Sequence, residues 1–344
     1  MRSLWAIPIL IALAFLLIFS PAEAYAEEYD PSVFSPNGVL YKISFDALIS
    51  MENETKGYYD YERTWGNGSL NIFSREEGTD YYAWSFSISF EAYYNCCRSG
   101  EEPRMETMQI PNVPVPPFIA VKKGTRETYF MIDLERLTKG MQEVSSPEEA
   151  RALLTEAYGK VYEEIYFTNF FYIPVDVGIG SKIVYGIYNK TSGEKFEVAL
   201  TISGEEAVGT PEGTFDAWVI ALDSESLIEL MGEMGIDSDA AEAIRAANPQ
   251  INIYYDKASG WLLKYEASGS ATNTTYVEHG EEVIEVSAEG SYYFLLELVQ
   301  AGTVNVGGKS VLERTLHLPK EAIIAIGGAI FCISLLRVIP PTKR

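Results

Sequence analysis

Between Tyr82 and Tyr94 the chain alternates with a period of two. Tyr82, Trp84, Phe86, Ile88, Phe90, Ala92 and Tyr94 fall on one side of an extended backbone, and Ala83, Ser85, Ser87, Ser89 and Glu91 fall on the other. Successive side chains of a β-strand point to opposite faces, so this segment is a long strand with one apolar face. The pattern recurs at Tyr41, Ile43, Phe45, Ala47 and Ile49, and at Tyr292, Phe294, Leu296 and Leu298. Strands apolar on one face only belong to antiparallel sheets. The expected fold class is therefore mainly β (α+β): a large curved antiparallel sheet or half-barrel with helical insertions, plus a C-terminal transmembrane helix.

Other segments punctuate the strands. Residues 251–255 and 261–267 flank the turn-forming run Asp256-Lys257-Ala258-Ser259-Gly260, which predicts a hairpin. Ser146-Pro147-Glu148-Glu149 is a capping box with proline at the first helical position, predicting a helix that reaches Glu164. Residues 224–234 and 237–247 read as a helical pair, broken near Gly235 and ended before Pro249. The proline-rich stretch 111–117 lacks the donors that a ladder needs, which predicts a surface connection. A sub-boundary near residues 204–209 is open, but one continuous sheet system is expected.

Both ends carry apolar runs. Residues 1–24 read as a signal peptide: Arg2 supplies the positive start, residues 4–19 the apolar stretch, and Ala22-Glu23-Ala24 a small-residue cleavage pattern. Ala24-Tyr25-Ala26 overlaps it, so the mature chain should begin at Tyr25 or Glu27. Residues 25–318 would form an extracytoplasmic β-rich domain. Residues 322–336 hold no charge and are followed by Arg337, which can snorkel while Val338 and Ile339 extend the span. A transmembrane helix over 321–339 with a basic cytoplasmic tail at 340–344 follows from the positive-inside rule. Leu318-Pro319-Lys320-Glu321-Ala322 lacks the Thr and Gly of a sortase signal, which favours a retained anchor.

The chain carries 26 Lys and Arg against 49 Asp and Glu, a net charge of −23. Long-range repulsion on that scale argues against nucleic acid or anionic lipid surfaces as partners. Four N-x-S/T sequons begin at Asn53, Asn67, Asn189 and Asn273, each in a polar, turn-like context, and are candidate glycosylation sites. Outside the terminal runs the only cysteines are the adjacent Cys96 and Cys97. A vicinal disulfide in a turn is the expectation, with intermolecular bridges or free thiols as the alternatives. Two adjacent cysteines do not complete a zinc site, and no metal or cofactor is expected.

Chemistry is hard to find. The two histidines, His279 and His317, have neither an H-E-x-x-H partner nor a G-x-S-x-G nucleophile to serve. Gly178-Ile179-Gly180-Ser181 lacks the third glycine of a dinucleotide loop. Among the carboxylates, Glu163 and Glu164 on the predicted helix, Asp237 and Asp239 at a helix start, Asp133 and Asp176 could serve a two-acid glycosidase, but in settings typical of solvated faces and caps.

One resemblance can be placed. Glu206-Ala207-Val208-Gly209-Thr210-Pro211-Glu212-Gly213-Thr214-Phe215-Asp216-Ala217-Trp218 resembles the start of a central strand in exported proteins of the LolA/LppX-like half-barrel class. Tyr254-Tyr255-Asp256-Lys257-Ala258-Ser259-Gly260-Trp261-Leu262-Leu263-Lys264-Tyr265 is similar to a hairpin of that class. The resemblance is confined mainly to residues 206–267. It implies a concave sheet face that carries lipids or other hydrophobic molecules. Tyr82, Trp84, Phe86, Ile88 and Phe90 are then the candidate ligand-binding residues, with a filled core as the alternative use of the same face. The leading expectation is a membrane-anchored, non-enzymatic binding protein for a hydrophobic ligand, a lipid or a partner protein. An anchored surface hydrolase and a structural accessory subunit of an envelope complex are the alternatives.

Overall fold

A computed structural model describes residues 39–77, 79–98, 102–123, 125–131, 161–233, 238–279 and 282–301, together with Ser146, Glu148, Glu149, Ala152 and Glu156. The signal peptide, the transmembrane segment and the tail read from the sequence lie outside the described residues. So does most of the helix expected after Ser146. No helix of the described residues is long and apolar enough to cross a membrane.

The described residues form one antiparallel sheet of thirteen strands, with few helices. Six strands are long: β1 (Val39–Asn53), β2 (Tyr58–Glu77), β3 (Tyr81–Arg98), β4 (Arg104–Lys122), β12 (Leu262–His279) and β13 (Glu282–Ala301). The shorter ones are β5 (Glu127–Phe130), β6 (Ile165–Thr168), β7 (Lys182–Asn189), β8 (Lys195–Thr201), β9 (Gly204–Thr210), β10 (Gly213–Leu222) and β11 (Gln250–Asp256). Sequential strands are neighbours except β8 and β9, which lie at opposite edges, and β1 pairs with β13 and so joins the two halves of the chain in the middle of the sheet. The open order is β8-β7-β6-β5-β4-β3-β2-β1-β13-β12-β11-β10-β9. Residues 204–209 lie within β9, the edge strand of this same sheet.

The alternating segments set the register. Ile43 lies opposite Leu296, Phe45 opposite Phe294 and Ala47 opposite Tyr292, so the apolar faces of β1 and β13 coincide. A shift of one residue would send every one of these side chains to the other face. The hairpin expected at 251–267 is the β11–β12 hairpin.

The two wings of the sheet meet through residues 169–173, which are buried and follow β6. Irregular backbone buried in this way must find a partner for each polar group. Ile173 N donates to Gly260 O at 2.8 Å, and Leu262 N to Phe171 O at 2.7 Å. Arg126 donates to the carbonyls of Tyr172 and Asn169 at 3.0 Å and of Val184 at 3.3 Å. Tyr255 OH reaches Phe170 O at 2.9 Å, and its oxygen also lies 2.9 Å from Tyr185 OH. Tyr41 OH closes the set on Leu262 O at 2.8 Å. Around this plug lie Trp84, Trp261 and Tyr265, all buried.

The helical pair is present as α1 (Ser224–Glu233) and α2 (Ser238–Ala247). Asp223 caps α1 by accepting from Ser226 N at 2.9 Å, and these bonds hold its carboxyl below the ordinary range. Asn248 ends α2 with a left-handed φ of 40°, a conformation asparagine tolerates, and Pro249 prevents continuation.

The expectation for residues 111–117 is corrected: they belong to β4. Val113 lies opposite Ile88, Pro114 opposite Ser87 and Val115 opposite Phe86. Among the described residues β5 pairs only with residues 119–121 of β4, so residues 104–118 form an edge. Edge strands tolerate proline because the missing donor can face outward. Register shifts between Trp84 and Phe86, and between Ile88 and Phe90, take up the remaining irregularity.

Candidate functional site

The five residues singled out on β3 share one side of the sheet, but they occupy different environments. Trp84 is 5% exposed and packs against Trp261 and Tyr172, at ring-centroid distances of 5.5 and 6.2 Å. It is part of the core around the plug. Phe86 also reaches the plug, through Phe171 at 6.3 Å. Tyr82 lies beneath the ammonium of Lys123, which is 4.8 Å from its ring centroid. Ile88 and Phe90 lie farther out, half-buried, where the apolar face runs on from the core.

That outer part has a distinct construction. In register across the sheet, Ile43 and Phe45 of β1 lie opposite Gly68 and Gly66 of β2, which in turn lie opposite Phe90 and Ala92 of β3. The middle strand therefore has no side chain at two successive positions of this face. Phe45 and Phe90 lean into the vacated space and stack on each other, with centroids 5.2 Å apart and planes 15° apart. A methyl group on Gly66 would lie 2.7 Å from Phe45 Cε1, and one on Gly68 would lie 2.6 Å from Phe90 Cδ2. These glycines are the floor beneath the stacked rings. Phe45, Ile49, Phe86, Ile88 and Phe90 are partly buried hydrophobics packed against the core.

The helical pair borders this face on the β12 side. Leu227, Leu230 and Ile244 join the core. The carbonyl of Ala247 would lie 2.8 Å from a methyl on Gly269 of β12, and Tyr292 Cε1 would lie 2.6 Å from it. Gly269 is thus the seat of α2. Buried phenols sit deeper. Burial holds Tyr185, Tyr255 and Tyr265 above the ordinary phenol value, and pushes Tyr292 up to about 12.

The opposite face of the same strands is also aromatic, but it is closed on itself. Arg63 makes a bidentate pair with Asp46, at 2.9 and 2.5 Å, and lies 5.0 Å from the Trp65 ring centroid. Trp65 stacks on Tyr93 at 5.5 Å, and Tyr59 on Tyr61 at 6.2 Å.

Cys96 and Cys97 are unbridged and half-buried. They stand in the β3 ladder opposite Glu62 and Tyr61 respectively, not in a turn. Consecutive residues of a strand face opposite ways, so a bond between them would have to break that ladder. Glu163 and Glu164 precede β6 rather than lying on a helix, and Glu163 accepts from Tyr81 OH at 2.6 Å. His279 is exposed at the end of β12, edge-on to Tyr58 at 5.5 Å. Among the described residues no group of three or more His, Cys, Asp or Glu is placed to hold a metal ion.

The sequons do not share one context. Asn67 and Asn273 lie within strands β2 and β12, and Asn53 closes β1 and caps a short 3-10 turn, Glu54–Lys56. Asn53 and Asn189 each begin a hairpin turn, the first between β1 and β2 and the second between β7 and β8.

No protein-family model and no curated protein matches the chain. Among solved structures, the crystal structure of a Bacteroides fragilis protein, described as exported and of YmcC-like fold, aligns over 80% of this chain and 99% of its own. The identity is 9% and the TM-score 0.24, a likeness that carries no argument about fold or activity.

Proposed function

We propose that this chain is a membrane-anchored extracytoplasmic binding protein that takes an apolar ligand against the inner face of its long strands. The observation that carries the reading is the Phe45–Phe90 stack over Gly66 and Gly68, a half-buried aromatic surface continuous with the core. Ligand sites are typically apolar, concave and largely preformed, and a glycine floor beneath stacked rings is preformed by the backbone itself. The half-barrel resemblance of residues 206–267 is consistent with this use. In the same reading residues 1–24 direct export and residues 321–339 anchor the chain, leaving 340–344 in the cytoplasm.

Native mass spectrometry of the full chain, extracted from its own membranes in mild detergent, tests the proposal. Adduct masses of an apolar molecule, displaced by the neutral fluorophore N-phenylnaphthylamine, are the expected result. A protein that emerges bare and binds no fluorophore would remove the ligand reading. Release of the intact chain by a salt wash would remove the anchor.

A further inference from the structure

The structure assigns one of the four sequons, Asn189-Lys190-Thr191, as an N-glycosylation site and sets the other three aside. This rests on the export proposed above, because sugar transfer of this kind needs the chain outside the cytoplasm. At Asn189 the side-chain Oδ1 accepts from Thr191 N at 2.9 Å and from Ser192 N at 3.0 Å. The turn thus folds Thr191 back beside the carboxamide and employs only its oxygen. Nδ2, the atom that would carry the sugar, takes no part in these bonds. Residues 190–194 are exposed, and Gly193, at φ 71°, supplies the left-handed step that lets the turn close.

The middle residue of the sequon is drawn away from it. Lys190 Nζ donates to Tyr129 OH at 3.0 Å and lies 4.9 and 5.0 Å from the ring centroids of Tyr129 and Tyr166. Its side chain therefore lies along the sheet and leaves Asn189 and Thr191 clear. The bonds that Thr191 N, Ser192 N and Gly193 N make to Asn189 are local, while Lys190 N ties the turn to Glu164 O of the neighbouring segment at 2.8 Å.

The other three sequons lack this arrangement. Asn53 Nδ2 donates to Glu285 O at 2.6 Å while its Oδ1 accepts from Lys56 N at 2.9 Å, so both ends of that carboxamide are engaged. Asn67 stands in β2 between β1 and β3 and accepts from Ser44 Oγ at 2.9 Å. The hydroxyl two residues on, that of Ser69, is 2.8 Å from Ser89 Oγ. Asn273 is extended in β12, and its Oδ1 accepts from the adjacent Thr274 N at 2.8 Å.

The donor class is an oligosaccharide linked through a phosphate or pyrophosphate to a membrane lipid, used by a membrane transferase. The Asn189 amide nitrogen bonds to the anomeric carbon as the bond from that carbon to the phosphate oxygen breaks. The lipid phosphate leaves with the electron pair, and a carboxylate of the transferase takes the amide proton.

Glycopeptide mass mapping of the full chain isolated from its own membranes, with the N-terminus determined on the same sample, tests this. Sugar on the Asn189 peptide, lost in both Asn189→Gln and Thr191→Ala, with Asn53, Asn67 and Asn273 bare, is expected. A bare Asn189 in molecules that begin at Tyr25 or Glu27 overturns the assignment while leaving export intact. Sugar on Asn53, Asn67 or Asn273 in its place also overturns it. An intact Met1 without sugar anywhere overturns export and the assignment together.

Discussion

Trp84 and Phe90 lie six residues apart on one face of one strand, and the structure gives them different work. Trp84 is 5% exposed and packs against the stacked pair Trp261 and Tyr172. Truncation to alanine at such a site costs about 3–5 kcal/mol. At about 2–4 °C per kcal/mol for a domain of this size, the melting temperature should fall by about 6–20 °C. Phe90 is only half-buried, and its ring rests on Phe45 over the glycine floor, so Phe90→Ala should cost about half as much. In the proposed reading it also removes one wall of the ligand site. A loss of about 1.4 kcal/mol of contact is a tenfold weaker Kd. Thermal melts paired with N-phenylnaphthylamine titrations on both variants provide the assay. Trp84→Ala should lose the more stability and, well below its new melting temperature, retain binding; Phe90→Ala should lose about half as much and bind the probe about tenfold more weakly. Equal destabilisation by the two changes, with probe binding unaltered by Phe90→Ala, would show that the Phe45–Phe90 face is ordinary core and refute the reasoning.

Four further expectations follow from particular contacts. Gly269→Ala would place a methyl 2.8 Å from Ala247 O; it should cost about 1–3 kcal/mol and speed hydrogen exchange through α2. Arg126→Met strands the carbonyls of Tyr172, Asn169 and Val184; a urea titration should show a loss above about 3 kcal/mol, not rescued by Arg126→Lys, whose ammonium cannot fork to all three. Tyr185, Tyr255 and Tyr265 have phenol pKa values raised chiefly by burial. A group whose pKa is higher folded than unfolded stabilises below the unfolded value and stops doing so as pH rises through the folded one. Stability should therefore hold up to about pH 10 and then fall by about 1.4 kcal/mol per pH unit for each of them, and the phenolate signal of these three should appear only as the chain unfolds. Finally, Cys96 and Cys97 face opposite sides of β3, so non-reducing peptide maps should contain no bridge between them, and each thiol should alkylate independently.

How much of this was legible beforehand depends on the range of the interactions involved. Period-two patterning is local, and it located β1, β3 and β13 together with their apolar faces. The β11–β12 hairpin and the helical pair also carry local punctuation, at residues 256–260 and at Asp223 and Pro249. The failures are non-local. Whether residues 111–117 can be a strand depends on the absence of a second neighbour, which only the sheet order reveals. The use of Gly66 and Gly68, on either side of Asn67, is defined by Phe45 and Phe90 on other strands. Residues 169–173 have no periodicity at all. Their conformation is set by Arg126, Tyr255 and Gly260, each distant in sequence. The cysteine pair was read as a turn for want of any sign that β3 runs through it.

The two faces of the long strands also explain why the inner one is the better candidate for binding. Both are rich in aromatic rings, and solvent contact with either is costly in proportion to the apolar area left uncovered. On the outer face the rings cover one another. Trp65 has Tyr93 on one flank and Arg63 close by, while Arg63 is itself held by Asp46. Stacks and cation–π contacts of this kind use up the ring faces and leave mainly edges and charges outward. The inner face meets its cost differently. Near the plug, Trp84 and Phe86 are covered by Trp261, Tyr172 and Phe171. Farther out, Phe45 and Phe90 cover each other, and beside them Ile49 and Ile88 remain half-buried. The glycines beneath them could carry larger side chains only if the rings and the strand moved. A sheet built solely for stability would fill those positions, because interior glycine weakens a strand and leaves nothing to pack. Their use on this face is best accounted for by the surface they shape, and that surface is apolar.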